Sequence, residues 1–256
     1  MMNIIRADIY RILHGKVIYL TFLALIAFAA GMASLGLIGG DPASEAEAFV
    51  FTGAISAAEL MTHSVIWLVL FILPFMFTVA GAIFMDKTAK NEISWGLSRN
   101  KIYIARLLII AGLCVLLVLV YLGFGIGLVT IVNGFGVAPP GFWLDLAIMV
   151  ATQSFMLFAA SCFGVFLFFV LKSGYAITEV FILFFFFPGI VVTTLMNIDI
   201  DLSWILEYDL MVNAARLVDL RQLETSSIIT AFAMGAAFIL LPSIAGITIF
   251  NKAEIK

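Results

Sequence analysis

The residues to search first for chemistry are histidine, cysteine and the acids, and here they are sparse. His14 and His63 are the two histidines, so the His-Glu-x-x-His pattern that places two zinc ligands and a general base on one helix face is impossible. No Gly-x-x-x-x-Gly-Lys-Ser/Thr run occurs. Without that backbone cradle and its lysine the chain cannot bind and hydrolyse ATP by the P-loop mechanism. A serine hydrolase needs a base beside its nucleophile, and His63 has no Gly-x-Ser-x-Gly companion. Cys114 and Cys162 both fall in long apolar stretches, where they read as core filler and not as a disulfide framework or metal site. The expectation is a chain that is not an enzyme, carries no catalytic residues and binds no metal or cofactor itself.

Ionisable groups placed at membrane depth offer different chemistry, because a charge at the bilayer centre costs roughly 2.5–3.5 kcal/mol on insertion scales. Glu179 lies seven residues after Lys172, on the same helical face, so the snorkelling lysine can partly neutralise it. Glu59 and His63 are four apart and form a second pair, whose charge changes near neutral pH. Both pairs can be read as proton or substrate sites in a pathway. The plainer reading makes them boundary charges that fix helix depth.

The elements that must position these residues follow from composition. Of 256 residues, 64% are hydrophobic and 11% charged, against about 25% charged in an ordinary soluble domain. A water-soluble fold is excluded. Uncharged stretches occur at 17–40, 60–85, 107–144, 146–171, 180–198 and 225–251. Crossing the hydrocarbon takes roughly 20 apolar helical residues, with every backbone polar group bonded internally. The third stretch contains Gly134, Gly136, Pro139, Pro140 and Gly141, which read as a turn between a span ending near Val132 and one beginning near Trp143. Runs that do not alternate, such as 113–120 and 181–187, exclude a membrane barrel. The fold class expected is all-α: one transmembrane domain over 1–256 with six transmembrane helices. The first span is too long for a cleaved signal and is expected to stay as an anchor.

Lys and Arg resist translocation and collect on the cytoplasmic side. With six spans, the N-terminal segment, the loops after spans two and four and the C-terminal tail carry all but Arg216 and Arg221 of the 13 basic residues. Both termini are therefore expected in the cytoplasm of a plasma membrane, and the opposite face is acidic. Topology and the anionic lipid bilayer explain the basic residues, and no stripe with interleaved aromatics suggests nucleic acid as a partner.

Before the first span, Ile5, Ile9, Ile12 and Leu13 fall on one helical face. They predict an interfacial helix over 1–15, with Arg6, Asp8 and Arg11 in the cytosol. The segment 86–101 is expected to hold a short membrane-proximal helix carrying Ile93, Trp95 and Leu97, with Glu92, Arg99 and Lys101 facing water or another protein. The acidic outer connection 198–225 carries Leu206, Leu210, Ala214 and Leu217 at helical spacing. It predicts a short amphipathic helix that either dips back into the outer leaflet as a cap over the spans or lies flat on the membrane. Pro74, Pro188 with Gly189, and Pro242 interrupt spans and are candidate hinges, while Ala160 and Gly164 permit close helix approach.

The segment FMDKTAKNEISWGLSRNKIYIARLL resembles the corresponding part of type-2 ABC-exporter permeases, especially the bacteriocin (lantibiotic) immunity and peptide-export branch. The shared elements map onto Asp86 leaving span two, the short helix, Ser98-Arg99, and Arg106 entering span three. Asn91-Glu92 stand where that family often has Gly-Thr. The resemblance implies that Glu92, Ile93, Ser94, Trp95, Ser98, Arg99 and Lys101 form a coupling helix seated on a separate ABC ATPase subunit, which supplies the ATP and magnesium. It also implies a second permease copy or homologue, a bacterial source, and export of an amphipathic or hydrophobic cargo, with an antimicrobial peptide favoured over drugs or lipids. A proton-coupled secondary transporter using Glu179 and the Glu59–His63 pair remains an alternative, as does a non-transporting membrane scaffold or sensor.

Overall fold

The computed structural model describes residues 2–38, 58, 61–81, 92–94, 96–138, 140–171, 173–196, 203–219 and 224–252. Among these residues the protein is helical, with no strand. A helix over Met2–His14 precedes six helices long and apolar enough to cross a membrane: Lys16–Ser34, Met61–Gly81, Arg99–Asn133, Phe142–Leu171, Gly174–Met196 and Thr225–Lys252. This is the architecture of a multi-pass helical membrane protein, and these helices are numbered below as spans one to six.

The uncharged runs locate the spans but understate two of them. Span three begins at Arg99 and span five at Gly174, well ahead of the apolar limits at 107 and 180. The hydrocarbon limits where a charge can sit, whereas i→i−4 hydrogen bonding continues unhindered into the aqueous interface. The expected turn between spans three and four lies between Asn133 and Phe142, with Gly134, Gly136 and Gly141 at φ of 78°, 81° and 86°, a region that a side chain strongly disfavours.

Spans two, three and four form the centre, with spans one, five and six more exposed around them. Span four packs against its neighbours two, three, five and six. Span two changes helix type along its length, from a 3-10 turn at Ser64–Trp67 through an α-helix at Leu68–Met76 to a π-turn at Phe77–Gly81. Pro74 lies within its α-helical part and supplies no N–H to the carbonyl four residues earlier. The Thr78 hydroxyl donates to the Pro74 carbonyl at 2.9 Å. Pro188 with Gly189, and Pro242, instead lie within continuous helices.

The connection between spans five and six contains helices Ser203–Leu206 and Leu210–Arg216, followed by a 3-10 turn at Leu217–Asp219. Leu210, Ala214 and Leu217 are buried, and the second helix packs against spans four, five and six. This packing seats the second helix on the ends of the spans. The amide of the buried Gln153 in span four donates to the Ala214 carbonyl at 2.7 Å. Asn213 donates to the carbonyls of Glu207 and Asp209, each at 2.8 Å.

Gly164 shows why a small residue is needed in span four. A Cβ there would lie 2.6 Å from Met76 Sδ and 2.9 Å from Phe181 Cε2, and both side chains are fully buried. Replacing Gly164 by Leu is expected to cost about 1–3 kcal/mol through overpacking, read as a lowered thermal midpoint of the detergent-purified protein. Leu at Gly189, where a Cβ meets nothing within 4 Å, should leave the midpoint much closer to that of the wild type.

Candidate functional site

The most concentrated polar chemistry lies at the basic end of the bundle and is centred on Arg106. This arginine is on span three, seven residues beyond Arg99, and is 1% exposed. Its Nη2 donates to Glu92 Oε1 at 2.7 Å and its Nε to Asp8 Oδ2 at 3.4 Å. Asp8, 5% exposed, pairs through Oδ1 with Arg11 Nη2 at 2.9 Å. The same Arg11 nitrogen donates to the Thr78 carbonyl at 2.9 Å, within the π-turn of span two. One continuous polar chain thus joins the loop after span two, span three, the N-terminal helix and the end of span two.

This arrangement corrects two expectations. Asp8, placed in the cytosol from its charge, faces the bundle on the stripe Ile4, Asp8 and Ile12, while Ile9 and Leu13 are exposed. Glu92, expected to face water or another protein, lies against the buried arginine. The physical reason is shared: desolvating one guanidinium is tolerable only with carboxylates beside it. An acid four residues from each of two isoleucines was the sequence signal for Asp8, and reading the charge as solvent-facing concealed it.

The segment leading to Arg106 is shaped locally. Residues Glu92 to Ser94 form one helical turn, closed by Gly96 N–H to the Ile93 carbonyl at 2.9 Å and Leu97 N–H to the Glu92 carbonyl at 3.3 Å. Gly96 follows at φ 81°. Ser98 has extended backbone angles and caps span three by position, with its side chain making no capping bond. Ile93 packs half-buried against the core, whereas Ser94, Ser98 and Lys101 are exposed. Trp95 lies outside the described residues.

Arg99 also departs from the expectation that it faces water or a partner. It donates through Nη1 to the carbonyls of Phe250 at 2.7 Å and Asn251 at 2.8 Å, and its guanidinium lies 5.9 Å from the Phe250 ring centroid. Asn251 adds a hydrogen bond to Asn100 at 2.8 Å. The last turn of any helix leaves carbonyls without intrahelical partners and carries partial negative charge, so a cation there is favourable. These contacts bring the end of span six to the start of span three, at the same end of the bundle as the N-terminal helix.

The other sequence candidates are dispersed. His63 is exposed, just before the 3-10 turn of span two, and its expected partner Glu59 lies outside the described residues. Glu179 is exposed on span five and makes no ion pair among the described residues; Lys172 falls outside them. Pro74 is on the segment that ends at the charge cluster, whereas Pro188, Gly189 and Pro242 are not. Cys114 and Cys162 are buried and free, with Cys114 Sγ 3.5 Å from the Ser161 hydroxyl. Among the described residues no group of three His, Cys, Asp or Glu could hold a metal ion.

No protein-family model matches the chain, and no curated protein matches it either.

Burial raises the Glu92 carboxyl above its ordinary value, against the lowering pull of the Arg106 guanidinium. The folded chain therefore holds this proton more tightly than the unfolded chain, and the stability gained at acid pH is lost as pH rises through the raised value. Glu92→Gln keeps an acceptor for Arg106 and should change stability by no more than about 1 kcal/mol at neutral pH, while removing this acid-side gain. Arg106→Met takes the guanidinium from Glu92 and leaves Asp8 paired with Arg11 alone, and should cost about 3 kcal/mol. Thermal midpoints of the purified variants across pH check both.

Proposed function

We propose that the chain is the membrane-embedded permease subunit of an ATP-binding-cassette exporter in a bacterial plasma membrane. It would be paired with a second copy or a homologue and driven by a separate ATPase on the side of the basic end. The observation that carries this reading is the bonding of the loop after span two. Glu92 holds it to Arg106, Asp8 and Arg11 extend the hold to the N-terminal helix and span two, and Arg99 extends it to span six. A loop that merely connects two helices needs no such anchorage. One that receives a mechanical push does, because displacement passes only through contacts stiff enough not to yield.

In this reading Glu92 and Arg99 are positioning residues inside the protein. The surface left for the ATPase is Ser94, Ser98 and Lys101, with Trp95 between them in sequence. ATP-driven approach of two ATPases would shift the anchored loop, and with it the N-terminal helix and spans two, three and six. The N-terminal helix, with Ile9 and Leu13 exposed on one side, would lie at the membrane interface. Cargo would be amphipathic or hydrophobic, with an antimicrobial peptide, exported or expelled for self-protection, as the favoured class.

Purification from native membranes tests this. The wild type should retain a subunit that hydrolyses ATP. The triple variant Ser94→Trp, Ser98→Trp, Lys101→Glu should lose that subunit and ATP-driven transport, with its thermal midpoint unchanged. Cargo movement by the chain alone in ATP-free vesicles under a pH gradient, abolished in Glu179→Gln, would overturn the proposal in favour of a secondary carrier.

A further inference from the structure

Away from the charged end, spans five and six and the short outer helices leave a cavity of ≈ 170 Å³. Its apolar wall includes Phe184, Phe185, Pro188 and Phe238, and its polar lining is Tyr208 and Asp209. The rings belong to a packed aromatic group: Phe184 stacks on Phe163 at 4.3 Å between centroids, and Phe238 lies 5.9 Å from Phe184 and 6.3 Å from Phe185. Neither the proposed loop contacts nor the polar chain at Arg106 involves any of these residues.

Three properties select an occupant. The volume is close to the roughly 150 Å³ in which a benzene is held in a protein interior, so one phenyl-sized group fits. The carboxylate of Asp209 supplies negative charge. Its Oδ1 accepts from the backbone N–H of Met211 at 2.7 Å and of Val212 at 3.1 Å, while Oδ2 makes no hydrogen bond among the described residues. Aromatic faces add a further preference for cations. An anionic headgroup or a carboxylate would meet repulsion here, which argues against an anionic lipid as the occupant.

We propose that this cavity is a binding site for a small hydrophobic cation, with an apolar group of phenyl size among the phenylalanines and its positive charge at Asp209. The service of this site as a subsite for exported cargo rests on the transport reading above. Binding itself does not, and it can be measured on the chain without any ATPase.

Asp209→Asn separates charge from structure, because asparagine caps a helix as well as aspartate does. Phe238→Trp and Ile205→Phe place extra volume in the cavity by two independent routes, each with its thermal midpoint checked. Benzyltrimethylammonium, benzyl alcohol and phenylacetate are titrated calorimetrically into the full chain in zwitterionic nanodiscs, with empty nanodiscs as the blank. The wild type should prefer the cation to the anion by about tenfold, the size expected for one nearby carboxylate at partial burial. Asp209→Asn should remove most of that preference, and both filling variants should lose binding of all three probes. Binding no stronger than the blank overturns the site. A cation preference unchanged in Asp209→Asn overturns the assignment of the charge, and probe binding unchanged in both folded filling variants overturns the location.

Discussion

Placing an arginine where water cannot reach it constrains everything around it. Arg106 is nearly inaccessible, and an unpaired guanidinium there would cost several kcal/mol. Two carboxylates from distant parts of the sequence meet that requirement, one from the N-terminal helix and one from the loop after span two. Asp8 in turn holds Arg11 within reach of the Thr78 carbonyl. Among the described residues, Arg106 Nη1, Glu92 Oε2 and Arg11 Nε are buried without a hydrogen-bond partner.

How much of this was legible in the sequence depended on which physical rule governed each element. The six spans were visible because the hydrocarbon imposes a single coarse requirement, some 20 residues without charge. Their ends were less visible, since charges such as Arg99, Arg106 and Glu179 are compatible with a helix but not with the hydrocarbon core. The turn after span three was legible because positive φ demands glycine at Gly134, Gly136 and Gly141. The face of the N-terminal helix was misread for the opposite reason. A rule that sends charge to water has no means of recognising an acid whose partner lies about a hundred positions away in sequence. The connection between spans five and six was partly legible. The spacing of Leu210, Ala214 and Leu217 gave its buried face, but its seat depends on Gln153, a polar residue within an otherwise apolar span.

The two ends of the bundle are built on different principles. At the basic end, ion pairs and carbonyl caps tie together segments from both halves of the chain. At the other end, neutral hydrogen bonds hold the short helices between spans five and six in place, and midway along the spans lies the aromatic group of Phe163, Phe184, Phe185 and Phe238. Directional bonds suit a part that must keep its geometry under load, and aromatic surfaces suit one that must accept apolar matter of varied shape. The proposed division between docking at one end and binding near the other follows this physical difference.

Span three has 35 residues, a length of about 52 Å at the α-helical rise, against a hydrocarbon thickness of about 30 Å. About two fifths of the rod therefore extends beyond the hydrocarbon, shared between its two ends. Such a rod is a lever whose fulcrum lies within the lipid. A tilt of about ten degrees around its midpoint would swing each tip sideways by roughly 4–5 Å, so a modest reorientation inside the membrane arrives at Arg99 and Asn133 as a displacement wider than a water molecule.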